Sequence, residues 1–251
     1  MIEVKKFRKV LPAKGELNFD VFEGMPVIAA MSYRSDGNMS LEGGETADVN
    51  RCRFLKELCI PEYLLYYVAI KHSAIVEVVK HDDFYPNGYI FPNTDGLVTP
   101  YSDVFLSVGA ADCPTVFLYD PVEKIAGLLH AGWRGLNCWI VSRAVTEMRE
   151  LGSDYRNIRA GIGPCICQDH YEFGKEAWTF FGSVPDAIIK KDGQNYLDLR
   201  RVVVYKLREA GIARENISVS DACTYCDESM FSYRRDGQGY GVMMTVFGIL
   251  S

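Results

Sequence analysis

The sequence predicts an α+β sandwich of mixed β-sheets with helices on the outside, built as a single domain over residues 1–251. Two observations carry that expectation. Runs rich in aliphatic and aromatic residues outnumber helical patterns and do not alternate regularly with them, which argues against a simple doubly wound sheet. No internal repeat and no Pro/Gly/Ser-rich linker divides the chain, and 251 residues with 48% hydrophobic and 24% charged content suffice to bury a large core.

Residues 27–32 read as the first strand. Gly43-Gly44 then gives way to a helix over about residues 46–58, with Val49, Phe54, Leu55 and Leu58 as its apolar face and Pro61 as its stop. Residues 63–70, 74–80, 104–108, 115–119 and 125–129 read as strands. A helix is expected from Gly135 to about Leu151, a strand near 158–162, a helix after Gly174, a helix over about 199–210, and strands at 217–219 and 242–247.

A formal net charge of −6 disfavours a nucleic-acid partner, although a local anion pocket remains compatible with it. No apolar stretch approaches the roughly 20 residues that cross a bilayer, and Met1-Ile2-Glu3-Val4-Lys5-Lys6 lacks the apolar core of a signal peptide. These features predict a cytoplasmic chain with no membrane partner, whose eight cysteines are mostly reduced thiols.

The chemistry concentrates around His130-Ala131-Gly132-Trp133-Arg134-Gly135, Asp112-Cys113-Pro114 and an isolated His72. Two imidazoles and a thiolate make a three-ligand zinc set with an open position, the arrangement of catalytic rather than structural zinc. No short spacing pattern joins the three, so the residues alone favour the blander reading of a buried thiol after a strand and two core imidazoles. Gly132 and Gly135 bracket Trp133-Arg134 between an apolar strand and a helix, where backbone N–H groups and the Arg134 fork suit phosphate or carboxylate. The bland alternative is a tight connection with Arg134 paired to a structural acid. Cys165-Ile166-Cys167 and Cys223-Thr224-Tyr225-Cys226 read as two independent pairs of ordinary thiols ahead of a second, four-thiolate zinc site, because C-x-C is not a usual zinc-knuckle half. Ser232-Tyr233-Arg234-Arg235-Asp236-Gly237 places two arginines in a turn, suited to an anion or to a solvated surface.

Taken in order, Ala111-Asp112-Cys113-Pro114, His130 to Leu136, Gly163-Pro164 with Tyr171-Glu172-Phe173-Gly174, Leu197-Asp198-Leu199-Arg200, and Cys223 to Cys226 with Phe231 to Asp236 closely resemble the laccase-domain family. Its members have been called multicopper polyphenol oxidases and, later, purine nucleoside phosphorylases. The resemblance spans most of the chain and implies a four-layer αββα sandwich of mixed β-sheets flanked by helices. It also implies a catalytic metal centre at His72, Cys113 and His130 and phosphate-dependent cleavage of adenosine, inosine and methylthioadenosine, with adenosine deamination as a second activity. Zinc (Zn2+) is the expected cofactor. Copper (Cu2+) ranks below it, since four histidines cannot furnish a multicopper cluster within one chain.

The partners implied are a purine nucleoside and phosphate, and a homo-oligomer is compatible with the resemblance. Tyr33-Arg34-Ser35-Asp36-Gly37-Asn38 and Val49-Asn50-Arg51 resemble the family's early arginine and asparagine motifs, so Arg34, Asn38, Arg51, Asp112, Arg134 and Arg234 are expected to bind substrate or phosphate, with Asp112 also a candidate general acid. Two segments depart from the pattern. Ile70-Lys71-His72-Ser73 stands where relatives carry Gln-Val-His-Gly, and Gly241-Val242-Met243 where they carry Gly-Arg-Met. Three rival readings accompany the resemblance: a metal-free hydrolase or deamidase with Cys113 as nucleophile, a copper-dependent phenol oxidase, and an inactive module that binds zinc or a nucleoside.

Overall fold

The computed structural model describes residues 15–80, 89–102 and 104–250, so the reading of the amino terminus lies outside the described residues. From the amino end come β1 (Val27–Met31), α1 (Gly44–Glu57), β2 (Leu65–Ala69), β3 (Val76–Val78), β4 (Tyr89–Pro92), β5 (Gly96–Thr99), β6 (Phe105–Ala110), β7 (Thr115–Asp120) and β8 (Ile125–His130). There follow α2 (Trp133–Asn137), α3 (Ile140–Glu150), β9 (Arg159–Ile162), β10 (Glu172–Phe173), α4 (Ala177–Phe181), β11 (Ile188–Lys191), β12 (Gln194–Leu197), α5 (Leu199–Glu209), β13 (Ile217–Val219), α6 (Tyr233–Asp236) and β14 (Met243–Ile249).

The strands form a five-stranded sheet in the order β1-β14-β6-β2-β4, a six-stranded sheet in the order β13-β9-β7-β8-β5-β3, and a small sheet β10-β12-β11. Both large sheets are mixed. In the first, β14 is antiparallel to β1 and β6 while β2 is parallel to β4 and β6. In the second, β8 is antiparallel to β5 and β7, whereas β13 is parallel to β9 and β3 to β5.

Strand periodicity assigns the layers. On β7, Val116 and Leu118 join a cluster with Ile140, Val141 and Met148 of α3 and Val202 and Leu207 of α5, whereas Phe117 and Tyr119 join Leu106, Val108 and Phe247 of the other large sheet. The outer face of the five-stranded sheet is covered by Phe54 and Leu55 of α1 and the following Leu58, which pack with Phe105, Met244 and Val246. The order is therefore helix, sheet, sheet, helices, the expected αββα arrangement. Strands covered on both sides are apolar through their middles, and β7 and β8 are buried throughout, with polar residues only at the ends: Thr115, Asp120 and His130. Among the described residues no helix is long and apolar enough to cross a membrane.

Several local expectations change. Val49 is 57% exposed and does not belong to the buried face of α1. It lies five residues before Phe54, and at about 100° per residue that turns it well away from the sheet; Ala47 and Asn50 are buried instead. The helix expected to run from Gly135 to Leu151 is broken into α2 and α3 at Trp139, whose φ of 70° interrupts helical geometry. The strand expected at 74–80 shortens to β3, and the segment expected as strand from 63 begins as a 3-10 turn at Glu62–Leu64. Strands β4, β5, β10, β11 and β12 carried too short or too polar a pattern to be read in advance.

Candidate metal centre and its cleft

Three loops at one end of the sandwich meet because of sheet register. Thr115 on β7 pairs with His130 on β8, and the Ala131 N–H donates to the Pro114 carbonyl at 2.9 Å, so Cys113 and His130 leave neighbouring strand ends side by side. His72 arrives on the loop after β2, in the left-handed region at φ 55°. The ligand atoms of His72, Cys113 and His130 all lie within 4.8 Å of one another, and the two imidazoles stand edge to face with ring centres 5.0 Å apart. Gly132 leaves the space they enclose open. A Cβ there would sit 3.2 Å from Cys113 Sγ, 3.3 Å from His130 Cε1 and 3.4 Å from His72 Cδ2.

Asp95, which sequence reasoning missed, ties the centre together. It is fully buried at the turn into β5. Its carboxylate accepts the backbone N–H groups of Lys71 (3.2 Å), His72 (2.9 Å) and Ser73 (2.7 Å) and the Ser73 hydroxyl (2.6 Å), and Oδ1 lies 3.0 Å from His130 Nδ1. One acid thus fixes the His72 loop and holds the proton of His130 on Nδ1, leaving Nε2 as a donor for a metal. Asn93-Thr94-Asp95-Gly96 reads as an ordinary turn, and nothing local signals this role.

The charges in the centre favour a thiolate beside an imidazolium, and a metal there would take the place of the proton on His130 Nε2. Burial would raise the Cys113 thiol, but the His130 charge and hydrogen bond, followed by those of His72, outweigh it and bring its pKa down to about 6. Burial would lower His130, but the Cys113 charge and Asp95 outweigh it and raise it to about 9. Asp95 is pushed up by burial and held below the usual carboxylate range by His130 and Ser73. A thiolate beside two imidazoles is a donor set for a borderline-soft cation.

The three donors open onto a cleft of about 660 Å³, within the size range of small-molecule sites. Trp133 forms one wall, stacked on Phe180 at 5.5 Å and edge-on to Phe173 at 5.2 Å, with the exposed Arg134 guanidinium 4.3 Å above its ring. Arg234 lies 5.1 Å over Tyr171 and donates to the carbonyls of His170 (3.3 Å) and Glu172 (3.1 Å). At the rim, the exposed rings of Tyr233 and Tyr240 meet edge to face at 4.9 Å. Ile70 and Val242, which stand where the family pattern has glutamine and arginine, both line the cleft and both close on Gly109. Two polar positions have thus become one apolar patch of wall.

The remaining residues expected to bind substrate divide. Asp112, Arg134 and Arg234 line the cleft, but both Asp112 oxygens already accept hydrogen bonds, from Thr224 Oγ1 at 2.6 Å and from the Arg234 backbone N–H at 2.7 Å. Arg34, Asn38 and Arg51 are not among the lining residues. Arg34 pairs with Asp236, donates to the Met230 carbonyl at 3.3 Å and stacks over Phe231. Asn38 Oδ1 accepts the N–H groups of Ser40 (3.0 Å) and Val242 (2.9 Å), and Arg51 donates to the carbonyls of Met39 (3.1 Å) and Ser40 (2.7 Å). Arg51 also pairs with Asp48, and with these contacts to backbone groups, Asp48 and Asp236 the three residues brace the chain outside the cleft lining. The turn holding Arg34 and Asn38 requires Gly37, at φ 92°, whose Cβ would fall on the Asn50 side chain.

Asp236 makes this bracing pH-dependent. Arg235 first, then the Ser232 amide and Arg34, hold its carboxyl near 2. A depressed pKa contributes stability above the unfolded value of about 3.9, lost as pH falls through the folded value. Asp236→Asn is expected to flatten the fall in denaturation midpoint between about pH 5 and pH 2. An unchanged pH profile would show that Asp236 contributes nothing there. The cysteines also differ from expectation: Cys167, Cys223 and Cys226 converge rather than forming two separate pairs.

The family model described as multi-copper polyphenol oxidoreductase laccase matches residues 32–250. A purine nucleoside phosphorylase of Deinococcus radiodurans is 34% identical over 157 residues, 62% of this chain and 61% of that protein. Adenosine deaminase RL5, from an unknown prokaryotic organism, is 35% identical over 158 residues, 60% of each chain. The match spans only about three fifths of either curated relative. The crystal structure of YlmD from Geobacillus stearothermophilus shares the fold with a TM-score of 0.86 at 26% identity, over 96% of this chain and 98% of that one.

Proposed function

This chain belongs to the multi-copper polyphenol oxidoreductase laccase family, and on that premise we propose that it is a zinc-dependent purine nucleoside phosphorylase with adenosine deamination as a second activity. The observation that carries the proposal is the juxtaposition of three convergent donors with a cleft whose walls present two arginines and several aromatic rings. Phosphorylase and deaminase relatives support it. Zinc fits the residues present: a thiolate and two imidazoles leave a fourth position open, Gly132 keeps the space free, and Asp95 orients His130. Copper in a multi-metal cluster does not fit a chain of four histidines.

When bound, zinc supplies a Lewis acid at the cleft floor. The chain's own residues do the rest. Arg134 and Arg234 present guanidinium groups to a phosphate dianion, and the rings of Tyr233 and Tyr240 offer the purine a stacking surface. In phosphorolysis the bond from the anomeric carbon to the purine nitrogen breaks, an oxygen of the hydrogen phosphate dianion bonds to that carbon, and the proton that the phosphate loses ends on the departing purine. Free base and ribose 1-phosphate result. Holding both reactants in one cleft converts an encounter of two solutes into a local step.

Chromatography of adenosine and inosine incubated with metal-assayed protein, with and without phosphate, tests the proposal. Free base appearing only with phosphate is the expected result, and no product from folded, zinc-loaded protein would sink it for these substrates. Arg134→Ala is expected to lower kcat/KM for phosphate by roughly 10–100-fold, the loss of a charge-assisted contact. An unchanged value would remove Arg134 from the phosphate site. A second reading rests on the Cys113 pKa of about 6 beside His130: such a thiolate–imidazolium pair is also a nucleophile and its acid. Activity that survives zinc removal by a chelator and dies on alkylation of Cys113 would favour it.

A further inference from the structure

We propose that Cys167, Cys223 and Cys226 form a second metal site, a three-thiolate cradle for a thiophilic cation of the Zn2+ type with its fourth position open to solvent. The three sulfurs lie within 4.8 Å of one another, and a tetrahedral zinc with bonds of about 2.3 Å needs sulfurs about 3.8 Å apart. Small side-chain adjustments therefore suffice to close the cradle. Two of its sulfurs come from a C-x-x-C turn, Cys223-Thr224-Tyr225-Cys226, closed by the Asp227 N–H donating to the Cys223 carbonyl at 2.9 Å. The Cys167 N–H points at Cys223 Sγ at 3.2 Å, the kind of amide donor that supports a metal-bound thiolate.

The fourth cysteine of this region does not join. Cys165 is buried, and its sulfur accepts from Arg200 Nε at 3.3 Å. Arg200 also donates to the carbonyls of Cys165 (3.0 Å) and Ala222 (2.5 Å), while Thr224 N–H donates to the Cys165 carbonyl at 3.3 Å. The two cysteine segments are thus pinned together by protein contacts alone, and the cradle is preorganised. Burial grades from Cys223, buried, through Cys167 to Cys226, exposed, so the open side faces water.

The position gives the site a structural task. Within the C-x-x-C turn, Thr224 Oγ1 donates to Asp112 at 2.6 Å, beside Cys113, and Tyr225 stacks on His170 at 4.1 Å. Arg235 donates to the carbonyls of Thr224 (2.8 Å) and Tyr225 (2.9 Å), tying the same turn to α6 and hence to Arg234. A metal here clamps one wall of the cleft and takes no part in chemistry on the substrate.

The test measures metal and stability, not turnover, so its outcome is separate from that of the phosphorylase proposal. Full-length protein purified in the presence of zinc is expected to hold about two zinc ions per chain, with Cys113→Ala and Cys226→Ser each reduced to about one and the double variant to none. Co2+ added to metal-free Cys113→Ala is expected to give thiolate-to-metal charge-transfer absorption that Cys226→Ser abolishes. Added zinc should raise the Tm of Cys113→Ala but not of the double variant. Cys226 is exposed, so its serine variant disturbs no core, and comparison with wild type carries the test even if Cys113→Ala folds poorly. One zinc in wild type and an unchanged content in Cys226→Ser would overturn the proposal. A non-reducing thiol count showing two of these cysteines consumed in a disulfide, with no second metal, would also overturn it in favour of a redox pair.

Discussion

Cys113→Ala is expected to abolish phosphorolysis, by about 10³-fold or more, and to release the metal held with His72 and His130, while the protein stays folded. The magnitude follows from removing a Lewis acid worth several kcal/mol of transition-state stabilisation, at about 1.4 kcal/mol per tenfold in rate. Two imidazoles alone are a poor match for the three-donor sites that retain catalytic zinc. The fold should survive because Cys113 is only partly buried and belongs to none of the apolar clusters that join the layers. Product chromatography, metal analysis and circular dichroism on the same preparation check the three statements together. Undiminished phosphorolysis by a metal-free Cys113→Ala protein would remove the metal centre from the mechanism.

The second large effect is expected at Asp95, a residue that touches neither substrate nor metal. Asp95→Asn preserves the shape but weakens the acceptor for His130 Nδ1, and loss of such a partner typically lowers metal affinity by 10–100-fold. Competition for zinc against a chromogenic chelator measures this directly. Asp95→Ala goes further. It leaves the N–H groups of Lys71, His72 and Ser73 without their acceptor, and a cost of roughly 3 kcal/mol or more in unfolding free energy is expected even with water replacing part of the loss. Ser73→Ala removes one hydroxyl from the same carboxylate and should cost about 1 kcal/mol. If Asp95→Asn binds zinc as tightly as wild type, the carboxylate is only a loop anchor and His130 is oriented by its packing.

Much of the fold was legible because the layers impose local patterns. Residues 116–119 and 125–129 are an almost unbroken run of aliphatic, aromatic and small residues, and they fall in the central strands β7 and β8, covered on both faces. The helix expected from residue 199 appears as α5, and Asp198 caps it by accepting the Arg201 N–H at 3.1 Å. Val49 departs from the expected face for an equally local reason: at about 100° per residue the helix turns it away from the side on which Phe54 and Leu55 are buried.

The metal-centre residues His72, Cys113 and His130, and the arginines on the cleft wall, were legible as residue types at strand ends and in turns, the places where a rigid scaffold presents chemistry. Their convergence was decided elsewhere. Asp95 lies 23 residues from His72 and 35 from His130, and Cys167 lies 56 residues from Cys223. Arg34, Asn38 and Arg51 sit in segments that resemble substrate-binding motifs, yet they lie outside the cleft lining and bond to backbone groups, Asp48 and Asp236. The sequence by itself determined which elements form, which faces are apolar and which side chains are able to bind a metal or an anion, because backbone period and side-chain chemistry act within a few residues. Only the tertiary structure decided which of those side chains meet, since strand order and register bring together segments distant in the chain, and only packing of the whole core selects them.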